Sequence, residues 1–122
     1  MFAVSIKGVL SNPERQILLL RNERDEWELP GGRIEMGETP QERLAREFDE
    51  ELGLQVITLS TALFEVIPGR HMFLACYRCA LAGNYAPRLS DEHQAWQVFA
   101  PDRLPHALPW PYREAIACML TS

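Results

Sequence analysis

Between Thr39 and Gly53 the chain carries both the start and the stop signal of a helix, and the rest of the fold must be arranged around it. Thr39 suits an N-cap, Pro40 the first helical position, and Glu42, three residues on, completes a capping box. Gly53 supplies the left-handed residue that ends a helix over Pro40–Leu52. With Glu47 at zero and a step of about 100° per residue, Glu50 lies about 60° to one side and Glu51 about 40° to the other. Leu44, Ala45, Phe48 and Leu52 occupy a separate arc, which is expected to pack on a sheet. Three carboxylates so placed repel one another by a few tenths of a kcal/mol per pair. Glu50 and Glu51 also stand near the helix C-terminus, where the dipole disfavours anions. Arg43 and Arg46 neutralise only part of this charge. A hard divalent cation, Mg²⁺ or Mn²⁺, would relieve the rest, because such ions prefer oxygen ligands. Physical reasoning thus reaches a metal site, but no reaction.

Around this helix the pattern is largely that of strands. Phe2, Val4 and Ile6 alternate with Ser5 and Lys7, so Phe2–Val9 reads as a half-buried strand. After the Asn12-Pro13 turn, Ile17–Leu20 is continuously apolar, as in a strand buried on both faces. Trp27–Leu29 leads into the corner Pro30-Gly31-Gly32, with a short return strand expected at Ile34 and Glu35. Further strands are expected over Val56–Ile67, Met72–Leu81 and Ala95–Phe99. A second helix is predicted from Pro111 to Leu120, where Tyr112, Ala115, Ile116, Met119 and Leu120 share one face. Strands interleaved with two separated helices indicate an α/β (or α+β) domain, with the helices on opposite faces of a mixed sheet.

The 122 residues suit one domain, 1–122, and no internal repeat or linker divides them. A formal net charge of −5 argues against a nucleic-acid polymer as partner, since that affinity rests on clustered cations. It leaves room for a small phosphorylated substrate if a metal supplies positive charge locally. Cys76, Cys79 and Cys118 are too few for a disulfide framework. No apolar run reaches the ~18 residues of a membrane span. Met1–Lys7 lacks the pattern of a signal peptide, so a cytoplasmic location is expected.

The spacing around the acidic helix adds the reaction. Gly32, Glu38 and Arg46-Glu47-Phe48-Asp49-Glu50-Glu51-Leu52-Gly53-Leu54 resemble the Nudix box, G-x5-E-x7-R-E-U-x-E-E-x-G-U with U apolar, over residues 32–54. Every fixed position is met, Phe48 being an aromatic choice at an aliphatic position. Trp27-Glu28-Leu29-Pro30-Gly31 also looks like that family's approach to the box. The resemblance implies the Nudix α/β/α sandwich, and Mg²⁺-dependent hydrolysis of a diphosphate bond in a small nucleotide-like substrate. It implies that Glu47, Glu50 and Glu51 hold the metal with the carbonyl of Gly31, and that Glu38 and Arg46 form an ion pair fixing loop to helix. The general base is Glu47 or a glutamate outside the box, for which Glu92 is the candidate, in Asp91-Glu92-His93. The family often carries Trp where Val98 stands, while Trp96 lies two residues earlier, which loosens the alignment of Glu92. The competing reading is a Nudix domain that binds nucleotides or regulates without turnover, and degenerate sites of that kind lose their glutamates. Homodimers are common in the family.

Other signals carry less. Cys76-x-x-Cys79 suggests zinc, but residues three apart on a strand face opposite ways, so core packing is the expectation. Arg70-His71 fits a solvated loop better than a phosphate contact. Trp27 either lines the cleft or anchors the corner, and Trp110 is expected to pack locally.

Overall fold

The computed structural model describes residues 3–67, 72–83 and 95–120. In chain order its elements are β1 (Ala3–Leu10), β2 (Ile17–Arg21), β3 (Trp27–Glu28), β4 (Gly31–Arg33), α1 (Pro40–Leu52), β5 (Val56–Ile67), β6 (Met72–Leu81), β7 (Ala95–Phe99) and α2 (Trp110–Leu120). They build a four-stranded sheet in the order β4-β1-β6-β5 and a three-stranded sheet in the order β3-β2-β7. β1 runs parallel to β6, and the other pairings are antiparallel.

The helices cover opposite faces, as expected. Leu44, Phe48 and Leu52 of α1 pack with Ile6, Leu10, Leu18, Leu20, Ala75 and Tyr77. Ala115, Ile116 and Met119 of α2 pack with Val9, Ile17, Leu19, Leu74 and Cys76. Side chains from Ile17 to Leu20 of β2 alternate between these two clusters, which is why that run is continuously apolar. Cys76 joins one cluster and Cys79 the other, both buried, in line with the packing expectation.

Three expectations are corrected. β1 is not half-buried: with a helix over each face, even Ser5 and Lys7 are enclosed. The return strand comes earlier than Ile34 and Glu35, at Gly31–Arg33, with Lys7 opposite Gly31 and Ser5 opposite Arg33. Gly31, at φ +143, lets the chain turn from Pro30 straight into this pairing, and a Cβ there would strike the Ile6 carbonyl of β1. Ala45 is exposed, because it lies beyond Leu52 at the far edge of the apolar arc.

The caps of α1 form as read. The Glu42 amide donates to Thr39 Oγ1 (3.1 Å) and the Thr39 amide to Glu42 Oε1 (2.9 Å). Gly53 ends the helix at φ 67, its amide donating to the Asp49 carbonyl at 2.9 Å. The second helix starts one residue before Pro111, at Trp110.

Candidate active site

The capping of α1 fixes its rotation, and that rotation divides the three glutamates. Glu47 and Glu51 are turned inward, 8% and 3% exposed, in the middle of the buried arc between Arg43 and Leu44. Glu50, on the outer flank, keeps a side chain 57% exposed and pairs with Arg46 at 3.6 Å. The structure therefore brings two of the three expected carboxylates together. Among the described residues no three His, Cys, Asp or Glu side chains converge as a ready cation cluster. Glu92 lies outside the described residues, as do Asp91, His93, Arg70 and His71.

Glu47 and Glu51 are hydrogen-bonded to one another. Burial first, then the hydrogen bond and negative charge of Glu47, pushes the Glu51 pKa up to about 10, against the opposing pull of Lys7. Burial beside a second carboxylate thus favours the neutral form of Glu51. Arg43, itself buried, ion-pairs with Glu47 and reaches Glu35 at 3.6 Å and Glu38 at 4.0 Å. It was read in the sequence as a partial neutraliser, and it proves to be a wall of the site.

Glu38 and Arg46 form the expected ion pair, Nε and Nη2 of the arginine both 2.8 Å from Glu38 Oε2. The hydrogen bond from Arg46 holds the Glu38 carboxyl below its ordinary pKa. The other oxygen, Oε1, accepts from the Glu35 amide at 3.1 Å, so the pair ties the loop before α1 to the helix.

Beneath the glutamates lies Lys7, 5% exposed and 4.0 Å from Glu28 Oε2. Burial works to lower its pKa, but Tyr112, Glu28, Glu51 and Glu47 together raise it above the ordinary lysine value. Sequence reasoning missed Lys7, because alternation along β1 had assigned it to solvent.

Two hollows meet here. An open cleft of about 480 Å³ is lined by Gly31, Gly32, Arg43, Glu47 and Glu51, with Asn22, Glu23, Arg24 and Glu28 at its edge. A smaller cavity of about 150 Å³ adjoins it, walled by Trp27, Trp110, Tyr112, Leu74 and Met72. Asn22, Arg24 and Glu28 border both. Trp27 fills both roles left open for it: it lines this cavity and also packs edge-on against Phe99, ring centroids 5.0 Å apart. Trp110 does not pack away locally. It is 52% exposed, because its place at the first turn of α2 directs it to the cavity mouth rather than the core. An aromatic followed by Pro111 at a helix start was the available signal.

Comparison with known proteins gives a consistent picture. A family model described as the NUDIX domain matches residues 1–119. The chain is 59% identical over 87 residues to a Mycobacterium tuberculosis protein named as a candidate 8-oxo-dGTP diphosphatase 2, covering 69% of this chain and 60% of that one. It is 38% identical over 74 residues to the 8-oxo-dGTP diphosphatase of Escherichia coli, covering 55% of this chain and 57% of the other. The chain thus spans less than two thirds of the length of these two curated relatives. Among solved structures, a MutT NUDIX hydrolase from Burkholderia pseudomallei superposes with a TM-score of 0.78 at 26% identity, over 97% of this chain and 98% of that one.

Proposed function

This chain belongs to the Nudix family, and from that premise we propose that it hydrolyses a diphosphate bond in a nucleoside diphosphate derivative, with a purine nucleoside triphosphate as the preferred substrate. The observation that carries the reading is the buried acidic pair Glu47 and Glu51, set in an open cleft that continues into an aromatic-walled cavity. The names of the two curated relatives support an oxidised guanine nucleotide within that class.

The donor set suits a divalent cation. The carboxyl groups of Glu47 and Glu51 line the cleft, and Gly31 contributes its backbone to the same wall. Such oxygen donors fit Mg²⁺, with Mn²⁺ as substitute. Glu47, Glu51 and the Gly31 carbonyl would hold it, and Glu50 and Glu92 are the further candidates. When bound, the cation neutralises charge on the diphosphate and acidifies water.

The chain's own residues supply the remainder. Glu47, paired with Arg43, is the proposed acceptor of the water's proton, with Glu92 as the alternative. Arg46, locked by Glu38, keeps α1 and its glutamates fixed relative to the loop. Trp27, Trp110 and Tyr112 offer flat apolar surface for a base, and Arg24 borders both hollows as a cation for the phosphate end. Phosphoryl transfer asks for little more than such positioning and electrostatics. A cytoplasmic setting and a homodimer complete the reading. No helix among the described residues is long and apolar enough to cross a membrane.

The test is a panel of nucleoside triphosphates, oxidised guanine forms included, together with nucleotide sugars and ADP-ribose, assayed with Mg²⁺. Turnover of the triphosphates is expected, with Glu51→Gln lowering kcat by at least ~100-fold, the size typical of lost charge stabilisation at a reacting centre. Glu50→Gln is expected to cost less. No turnover across the panel would favour a domain that binds without hydrolysing.

A further inference from the structure

The mechanism above leaves unused a polar chain that runs between the two hollows, Lys7 to Glu28 to Asn22. Asn22 stands at the end of β2, where its Oδ1 accepts from the backbone amides of Arg24 (2.9 Å) and Glu26 (3.1 Å). Those two bonds fix the sense of the amide, so its Nδ2 is the group that faces Glu28 Oε2, at 3.4 Å. Lys7 approaches the same oxygen from inside the fold, Nζ at 4.0 Å, and lies 5.6 Å from the centroid of the Tyr112 ring. Its backbone is set opposite Gly31 in the β1–β4 ladder. Glu28 is thus gripped from the core side and from the loop side, at the border that the two hollows share.

We propose that Glu28 reads the hydroxyl groups of the substrate's sugar, with Lys7 and Asn22 as the residues that position it. The proposal rests on the diphosphate-hydrolase reading. A nucleotide whose diphosphate lies beside Glu47 and Glu51, and whose base enters the aromatic cavity, carries its sugar across the border formed by Asn22, Arg24 and Glu28, of which Glu28 is the one carboxylate. An ionised carboxylate only accepts hydrogen bonds, so its natural partners there are hydroxyl donors rather than phosphate oxygens. A carboxylate beside a polyanion would repel it. The ammonium of Lys7 offsets that repulsion from beneath, which accounts for an enclosed lysine at a position where the opposite face of β1 carries apolar residues.

The deciding measurement compares a ribonucleoside triphosphate with its 2′-deoxy and 2′,3′-dideoxy counterparts of the same base, in the wild type, Glu28→Gln, Lys7→Met and the double variant. The wild type is expected to favour the two substrates that carry a 3′-hydroxyl, here called the hydroxylated forms, over the dideoxy form by about tenfold in kcat/KM, the scale of one charge-assisted hydrogen bond. Glu28→Gln should erase most of that preference by raising KM for the hydroxylated forms, with kcat changed much less. Lys7→Met should do the same by misplacing Glu28, and the double variant should lose no more than the worse single, the mark of a coupled pair. Should Lys7→Met fail to fold, Glu28→Gln decides alone. A preference that persists in Glu28→Gln, or equal losses on the dideoxy and hydroxylated forms, would overturn the assignment while leaving the hydrolase reading intact. A wild type with no turnover at all would overturn both.

Discussion

Glu51 is where one residue's surroundings depart furthest from water. Its carboxyl, almost enclosed and hydrogen-bonded to Glu47, has a pKa pushed up from 4.5 to about 10. Through that window the folded chain keeps a proton that the unfolded chain has released. The unfolded state binds fewer protons, so stability falls as pH rises. Metal-free protein in EDTA is therefore expected to melt at a lower temperature at pH 9 than at pH 6. Mg²⁺ should raise the melting temperature, and more strongly at the higher pH, because binding must displace the Glu51 proton. Glu51→Gln should flatten the metal-free slope and remove most of the Mg²⁺ effect. Melting curves at the two pH values, with and without Mg²⁺, check this. A metal-free stability that climbs between pH 6 and 9 would refute the buried-proton account.

At the scale of elements, α1 shows what a sequence exposes and what it hides. Its caps were legible because Thr39, Pro40, Glu42 and Gly53 act on their own neighbours in the chain. The split of its glutamates was not, since the arc that buries Glu47 and Glu51 is set by tertiary packing of α1 on β1, remote in sequence, and on the flanking strands β4 and β5. Lys7 was misread for a related reason. Alternation along β1 marks polar positions, but only the arrival of α2 on that face closes them off. The same contrast separates two variants. Thr39→Ala should lower unfolding free energy by about 1 kcal/mol in urea titration, through a lost cap that local chemistry alone dictates. Gly31→Ala is expected to cost far more, because its Cβ meets the backbone of β1 and its φ of +143 strains any other residue. It should accumulate as insoluble protein, or unfold at markedly lower urea than Thr39→Ala. Equal midpoints for the two would show that the β1–β4 approach is looser than described.

For the molecule as a whole, the question is whether two apolar clusters on opposite faces of the strands behave as one cooperative unit. The strands that divide them also belong to both: β1, β2 and β6 each send side chains to either side, so neither cluster can open without loosening strands the other needs. The chain carries its own reporters. Cys76 lies in the cluster under α2 and Cys79 in the cluster under α1, both buried, while Cys118 is exposed on α2. Burial also pushes the Cys79 thiol up to about 12, so it stays protonated and inert while folded. Pulse alkylation read by mass spectrometry should label Cys118 at once in the native protein. Cys76 and Cys79 should become reactive together, at one urea concentration that matches the spectroscopic midpoint. Labelling of Cys76 well before Cys79 would mean that α2 and its cluster open as a separate unit. The aromatic cavity, whose walls include Trp110 and Tyr112 of α2, would then have a stability of its own, distinct from that of the acidic cleft on α1.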